Sequence, residues 1–341
     1  MVAGHGQPVW YDLRMQPGHD KLFSFRWDID HRACITDGLP RIMRVCEEFG
    51  VKNTFFINMG RSTNLKEWLS KGGLKGSKAK LKDMEAIHLI KKIGWPRFIL
   101  ETALSRPVGR SLVGSLEKLV RAGHELGQHG GSDHVVWSRR FFELPEEVIA
   151  QDVEQSLAEI SRLFGTPAGF TSPGFKSDER ITRIVARLKY RYDGDAIGGE
   201  PHHPSFGQTH ARHWRIPVTL CGPRTVPLLE WHGARNTPPS DIIADLRQRL
   251  DQSDWVVLYG HPCYEGVKDD LLREVFRAVT DRGFRFVTHE QMAERLYAWP
   301  ASSGAPFSAP STGQATLSNA TNITSDSSGS GTIGRCSRNG A

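Results

Sequence analysis

Two hydrophobic periods take turns along this chain. Phe23-Ser24-Phe25-Arg26-Trp27-Asp28-Ile29-Asp30 is an apolar run that ends in two carboxylates one residue apart, and it reads as a buried strand. Ile42, Val45, Cys46 and Phe49 then recur at helical spacing, with Thr36 or Asp37 as the expected cap and Gly50 as the expected stop. Lys52 to Asn58 returns to strand. Further helices are predicted around Leu112–Val120, Ile149–Phe164 (with Pro145 and two glutamates as its first turn), Ile181–Leu188, Ser240–Leu250, Leu272–Val279 and Glu290–Tyr297. Between them lie the expected strands Glu125–His129, Ala168–Thr171, Tyr190–Asp195, Ile216–Thr219, Trp255–His261 and Phe284–Thr288. Strands that alternate with helices predict a parallel α/β architecture, either a barrel or a doubly wound sheet, as one domain over residues 21–298.

Three stretches fall outside that alternation. Residues 1–20 are aperiodic and read as an arm. Residues 59–107 form an excursion too long for an ordinary connection, with Lys66, Lys71, Lys75, Lys78, Lys80 and Lys82 followed by an apolar run from Ile87 to Leu100. Such an insertion reads as a helical hairpin over the barrel rim, a lid, or a segment lying at a membrane interface. Residues 299–341 are dominated by Ser, Thr, Gly, Asn and Pro and are expected to be disordered.

The net charge of +6 is too small, and too little clustered on aromatic-bearing helices, to indicate nucleic acid. It suits an acidic substrate or an anionic membrane surface. Cys34, Cys46, Cys221, Cys263 and Cys336 are odd in number and lack CxxC spacing, so free thiols in a reducing compartment are expected. With no signal-like start and no apolar run near the roughly 18 residues of a membrane span, the expected location is cytoplasmic, with peripheral attachment to the membrane's cytoplasmic face as the variant.

Chemistry gathers at the C-terminal ends of the strands: Asp28 and Asp30, His129 and His134, Pro173-Gly174, Asp193 and Asp195, and His261. A barrel brings such ends to one face. An aspartate with two histidines suits Zn²⁺ or a similar divalent ion, with positions left open for water and substrate. His202, His203, His210 and His213 crowd one loop and read as exposed, as rim contacts, or as a second metal site. Cys263 reads as pocket lining, since no nucleophile pattern supports it.

These residues resemble the polysaccharide deacetylase (NodB homology) family from Lys21 to Leu296, which implies an irregular (β/α)7 barrel. The Asp28-Ile29-Asp30 triplet, Asn58-Met59-Gly60-Arg61 after the second strand and the long insertion look closest to the deformylases of undecaprenyl-phosphate-linked formamido-arabinose. The resemblance implies Asp28 as catalytic base, and Asp30, His129 and His134 as metal ligands, with Asp133 as the alternative to His134. It implies His261 as general acid with Asp195 beside it. Thr171 stands near the position where the family carries an arginine that supports the base, while Pro173 and Gly174 are retained. With Phe175, these two are the expected substrate and oxyanion contacts. The implied activity is metal-dependent removal of a small N-acyl group, formyl or acetyl, from an amino sugar, preferably lipid-phosphate-linked. The alternatives are hydrolysis of a free small amide or cyclic ureide, and a carbohydrate-binding relative without catalysis.

Overall fold

The computed structural model of the 341-residue chain describes residues 20–62 and 94–298. The expected arm, the lysine-rich part of the insertion and the expected disordered tail lie outside the described residues. No helix among the described residues is long and apolar enough to cross a membrane.

The chain opens with β1 (Leu22–Ile29), a wide helical turn over Cys34–Gly38, α1 (Leu39–Phe49) and β2 (Thr54–Ile57). After the insertion come α2 (Trp95–Leu104), α3 (Val113–Arg121), β3 (Glu125–His129), α4 (His134–Arg140), α5 (Glu146–Phe164), β4 (Gly169–Thr171), α6 (Glu179–Arg187) and β5 (Tyr192–Asp193). A small hairpin, β6 (Ser205–Phe206) with β7 (Thr209–His210), precedes β8 (Trp214–Arg215) and α7 (Leu228–Ala234). The last elements are α8 (Pro239–Leu250), β9 (Trp255–Gly260), α9 (Asp269–Thr280), β10 (Arg285–Phe286) and α10 (His289–Ala298).

The parallel sheet runs β9-β1-β2-β3-β4-β5-β8, with β10 pairing the first two residues of β1. It curls because the stretch after β8 leaves β5 and meets β9: Thr219 and Leu220 both donate to the Val257 carbonyl at 3.0 Å. The architecture is therefore the irregular (β/α)7 barrel, not a doubly wound sheet. The expected strand at Ile216–Thr219 is instead a bridging segment, because it serves two neighbours in turn and completes a ladder with neither. α1 begins at Leu39 with Gly38 before it, not at a Thr36 or Asp37 cap, and it ends at Gly50 in the left-handed conformation (φ 65°).

β1 divides the protein chemically. Its odd-numbered residues Phe23, Phe25, Trp27 and Ile29 are completely buried against the helices, in one cluster with Ile42, Val45, Leu246, Val275 and Phe276. Its even-numbered residues Ser24, Arg26 and Asp28 point the other way, as the two-residue period of a strand requires. They rise through the barrel interior, where Arg26 lies over the rings of Phe56, Phe175 and Tyr259 at 5.2, 4.8 and 5.8 Å from the ring centres. Burying an arginine inside a barrel costs free energy unless its charge is paired and its donors are satisfied, and the partners here are the site.

Candidate active site

Asp28 ends the interior column of β1, and Arg26 grips it from below. Arg26 Nε donates to Asp28 Oδ1 and a second guanidinium nitrogen to Oδ2, both at 2.8 Å, while the third donates to the Gly194 carbonyl at 2.6 Å. This is the two-pronged fit of guanidinium to carboxylate. Burial pushes the Asp28 carboxyl's pKa up more than any single neighbour pulls it down, but the Arg26 charge, the nearby His129 and the Arg26 hydrogen bonds together hold the group below the usual range. The arginine expected at the start of the third motif is thus supplied from β1, two residues before the acid it supports. Thr171, at the motif position, does something else: its Oγ1 lies 2.8 Å from His129 Nδ1 and fixes that ring.

Fixed in this way, His129 turns Nε2 to within 3.1 Å of Asp30 Oδ1, and His134 Nε2 approaches the same oxygen at 3.2 Å. Asp30 Oδ1 and His134 Nε2 are both buried without a hydrogen-bond partner. Three ligand-type atoms converging on one point, two of them otherwise orphaned, fit a divalent cation. Burial works against the charge on Asp30, but the imidazoles around it, His134 first, hold its carboxyl well below the normal range. Asp133, the alternative ligand, is occupied elsewhere: its side chain accepts the Val136 N–H at 3.0 Å and caps α4. Capping α4 places His134 at the first helical position, directed at Asp30.

The loops around these ligands interlock. Gly60 packs where any Cβ would come within 1.7 Å of the Ser132 carbonyl, which in turn accepts the Arg61 N–H at 2.9 Å, while His134 N donates to the Arg61 carbonyl at 3.0 Å. Asn58 Oδ1 accepts the Gly60 N–H at 2.8 Å. The Asn58-Met59-Gly60-Arg61 stretch therefore holds the loop that carries His134. Gly38 does the same for the opposite wall, since a Cβ there would lie 1.9 Å from the Pro262 carbonyl.

His261, just past β9, faces the ligands with Nε2 3.4 Å from Asp30 Oδ2. Its carboxylate partner differs from the expected one. Asp195 accepts the Ser172 N–H at 2.6 Å and the Ser172 hydroxyl at 2.7 Å, which ties the end of β4 to the end of β5 beneath Arg26. His261 Nδ1 instead lies 3.3 Å from Glu230 Oε2 on α7. The correction has a simple cause: β5 is only two residues long, and the turn after it directs Asp195 inward to the β4 loop. Sequence reasoning missed Glu230 because the short helix carrying it sits among Pro223, Pro227 and Gly233. Its one available signal was a lone acid in an otherwise apolar Leu228-Leu229-Glu230-Trp231.

Pro173, Gly174 and Phe175 form a tight turn at the end of β4, with Gly174 and Phe175 both at positive φ (61° and 55°). The Phe175 N–H is used within the turn by the Ser172 carbonyl, and its ring packs edge-on against Tyr259 and covers Arg26. The histidine-rich loop forms the β6–β7 hairpin. His213 Nε2 there bonds Asp193 Oδ2 at 2.8 Å, His203 Nδ1 contacts the His213 carbonyl at 2.9 Å, and His202 and His210 are exposed. No metal-ligating group forms there among the described residues. Cys263 is buried behind the His261 loop.

No protein-family model matches this sequence. Solved structures resemble it in fold. A putative polysaccharide deacetylase from Mycobacterium smegmatis aligns with a TM-score of 0.56 at 16% identity, covering 83% of this chain and 93% of its own. A probable polysaccharide deacetylase from Pseudomonas aeruginosa PAO1 gives 0.57 at 12% identity with the same coverages. A protein titled Puue allantoinase gives 0.56 at 13%, again covering 83% and 93%. At these identities the likeness establishes a shared (β/α)7 barrel of the NodB type and leaves the chemistry to the residues described above.

Proposed function

We propose that this protein is a metal-dependent hydrolase that removes a small N-acyl group from an amino sugar. The observation that carries the reading is a free-standing carboxylate, Asp28, clamped by Arg26 beside a three-ligand cluster, with an imidazole facing that cluster from the opposite wall. Asp30, His129 and His134 would hold the ion, most simply zinc, which supplies a water of lowered pKa and positive charge opposite the oxygen of the polarised amide. Asp28, ionised and fixed by two hydrogen bonds, receives the proton of the attacking water. The carbonyl carbon gains an oxygen and loses nitrogen. The electron pair of the broken C–N bond stays on nitrogen, and His261 Nε2 delivers the proton the amine needs to depart. The turn at Pro173-Gly174-Phe175 borders this space as the substrate wall.

The preferred substrate is a lipid-phosphate-linked amino sugar bearing a formyl or acetyl group, as in the deformylase branch, which also implies contact with an anionic membrane face. Support comes from the described end of the insertion. A cleft of about 150 Å³ between α2 and the turn after β1 is lined by Arg32, Arg106 and Arg97, the last ion-paired with Asp37, together with Glu101, Leu100 and Leu104. Ile99, Leu100 and Leu104 are among the most exposed large apolar side chains. Cations next to exposed apolar surface suit a phosphate attached to a hydrocarbon chain. The likeness to the structure titled allantoinase favours one second reading, hydrolysis of a small cyclic ureide.

The test is turnover by zinc-loaded protein of an N-formyl or N-acetyl amino sugar, free and lipid-phosphate-linked, beside a cyclic ureide. The expected result is release of the acyl acid, lost on chelation and in Asp28→Asn. Turnover of the ureide alone would replace the sugar reading with the second one. Stoichiometric metal with no turnover of any amide would make the protein a binding relative.

A further inference from the structure

Glu230 is 1% exposed and belongs to the seven-residue helix α7. A carboxylate is seldom buried so fully without a task or a partner. Its Oε2 lies 3.3 Å from Nδ1 of His261, and the opposite nitrogen of that ring, Nε2, is the one turned toward Asp30. The backbone of His261 is held separately, its N–H donating to Oε2 of buried Glu265 at 2.8 Å. Lys268 lies over the Tyr264 ring, 3.8 Å from its centre, close enough for its charge to be felt by both glutamates. The imidazole is thus gripped at its main chain and at one ring nitrogen, leaving one direction for the other nitrogen.

We propose that Glu230 is the positioning residue of the acid step: by accepting the Nδ1–H of His261 it holds the ring so that Nε2 faces the departing amine. The inference rests on the hydrolase reading above and assigns to α7 a role that Asp195 was expected to fill from β5. In the step itself the C–N bond breaks, its electron pair remains on nitrogen, and that nitrogen takes the Nε2 proton; Glu230 exchanges no proton with the substrate. A group acting only through the acid matters in proportion to how much the leaving group needs a proton. Amines cannot leave as anions, whereas 4-nitrophenolate can.

The experiment compares wild-type protein, Glu230→Gln and Glu230→Asp, each loaded with zinc, on an N-acetyl amino sugar and on 4-nitrophenyl acetate. For Glu230→Gln the expected result is a fall in amide kcat of roughly 10²–10⁴-fold, the usual worth of a general acid, with KM unchanged. Loss on the aryl ester should be far smaller, one equivalent of zinc should remain bound, and Glu230→Asp should recover part of the amide rate. Equal losses on both substrates would reduce Glu230 to a structural role and overturn the proposal. Release of zinc in Glu230→Gln would overturn it too, by making Glu230, His261 and Glu265, whose ligand atoms also lie within 4.8 Å of one another, a metal site. Wild-type protein inert on every amide would instead strike down the hydrolase reading itself, a result distinguishable because it appears before any substitution is made.

Discussion

At the scale of single residues the molecule turns on Arg26. Two carboxylates and three histidines at strand ends were legible in the sequence because metal-type ligands at one end of parallel strands have little other reason to recur. Arg26 stood in the same eight residues, yet it reads there as an interruption of an apolar run. Only the alternation of β1, with aromatic residues to the helices and polar ones to the interior, gives it a destination. Removing one member of a buried ion pair leaves the other unpaired and costs about 3–5 kcal/mol, whereas replacing both with apolar groups is often neutral. Arg26→Met should therefore lower stability by about that amount, and Arg26→Met combined with Asp28→Leu should recover most of the loss, both inactive. Denaturant midpoints measure this. A double variant no more stable than the single one would mean that the stacking on Phe56, Phe175 and Tyr259, not the ion pair, is what Arg26 contributes. Arg26→Lys is a second check: it keeps a charge but loses the fork, so turnover should fall sharply while zinc binding persists.

At the scale of elements, the long helices and the deeply buried strands were readable and the short ones were not. α5 and α9 run 19 and 12 residues and repeat their apolar face several times. α4 and α7 have seven residues each, too few for a period to declare itself, and such helices persist through packing more than propensity. Those two helices carry His134 and Glu230, so the least legible elements hold two of the most consequential side chains. The cap of α4 engages Asp133 and leaves His134 directed at Asp30. Asp133→Asn retains an acceptor for the Val136 N–H and should leave zinc affinity nearly unchanged. Asp133→Ala should cost about 1 kcal/mol of stability through the lost cap. Zinc binding should then weaken moderately, because His134 is less firmly placed. His134→Ala should lose more affinity than the roughly 10–100-fold typical of an outer-sphere change. Competition with a zinc-binding dye ranks the three. If Asp133→Asn proves the most damaging, Asp133 is the ligand and the cap is incidental.

On the scale of the whole molecule, the two rims of the barrel carry different obligations. The C-terminal rim gathers the candidate ligands, while the N-terminal rim, roughly 13 Å away along the five residues of β3 at a strand's rise per residue, carries the half-buried Glu125. Thr54 Oγ1 donates to Glu125 Oε2 at 2.8 Å, the Glu290 N–H donates to the same oxygen at 2.9 Å, and the Tyr192 hydroxyl donates to Oε1. This acid therefore joins β2, β3, β5 and α10 in one seam at the N-terminal rim. Burial pushes it up to about 7, against those hydrogen bonds. The folded protein then retains a proton on Glu125 between about 4.5 and 7 that the unfolded chain has released, so ionisation of this group lowers stability as pH rises through that window. His124, one residue earlier, has the opposite sign: burial lowers it to about 4, so the folded state refuses a proton that the unfolded chain accepts below 6.5. Neighbouring residues of one strand start thus oppose each other across the mildly acidic range. Glu125→Gln removes only one of the two opposing contributions. Its stability, relative to wild type, should rise by about 1.4 kcal/mol per pH unit between 4.5 and 7, one proton's worth. The gain should level off above that window, and catalysis at the other rim should be unaffected. Denaturant unfolding of both proteins at half-unit steps from pH 4.5 to 8 measures the difference directly. A constant offset at every pH would show that Glu125 ionises in the barrel as it does in water, and that its three donors, not its proton, hold the seam together.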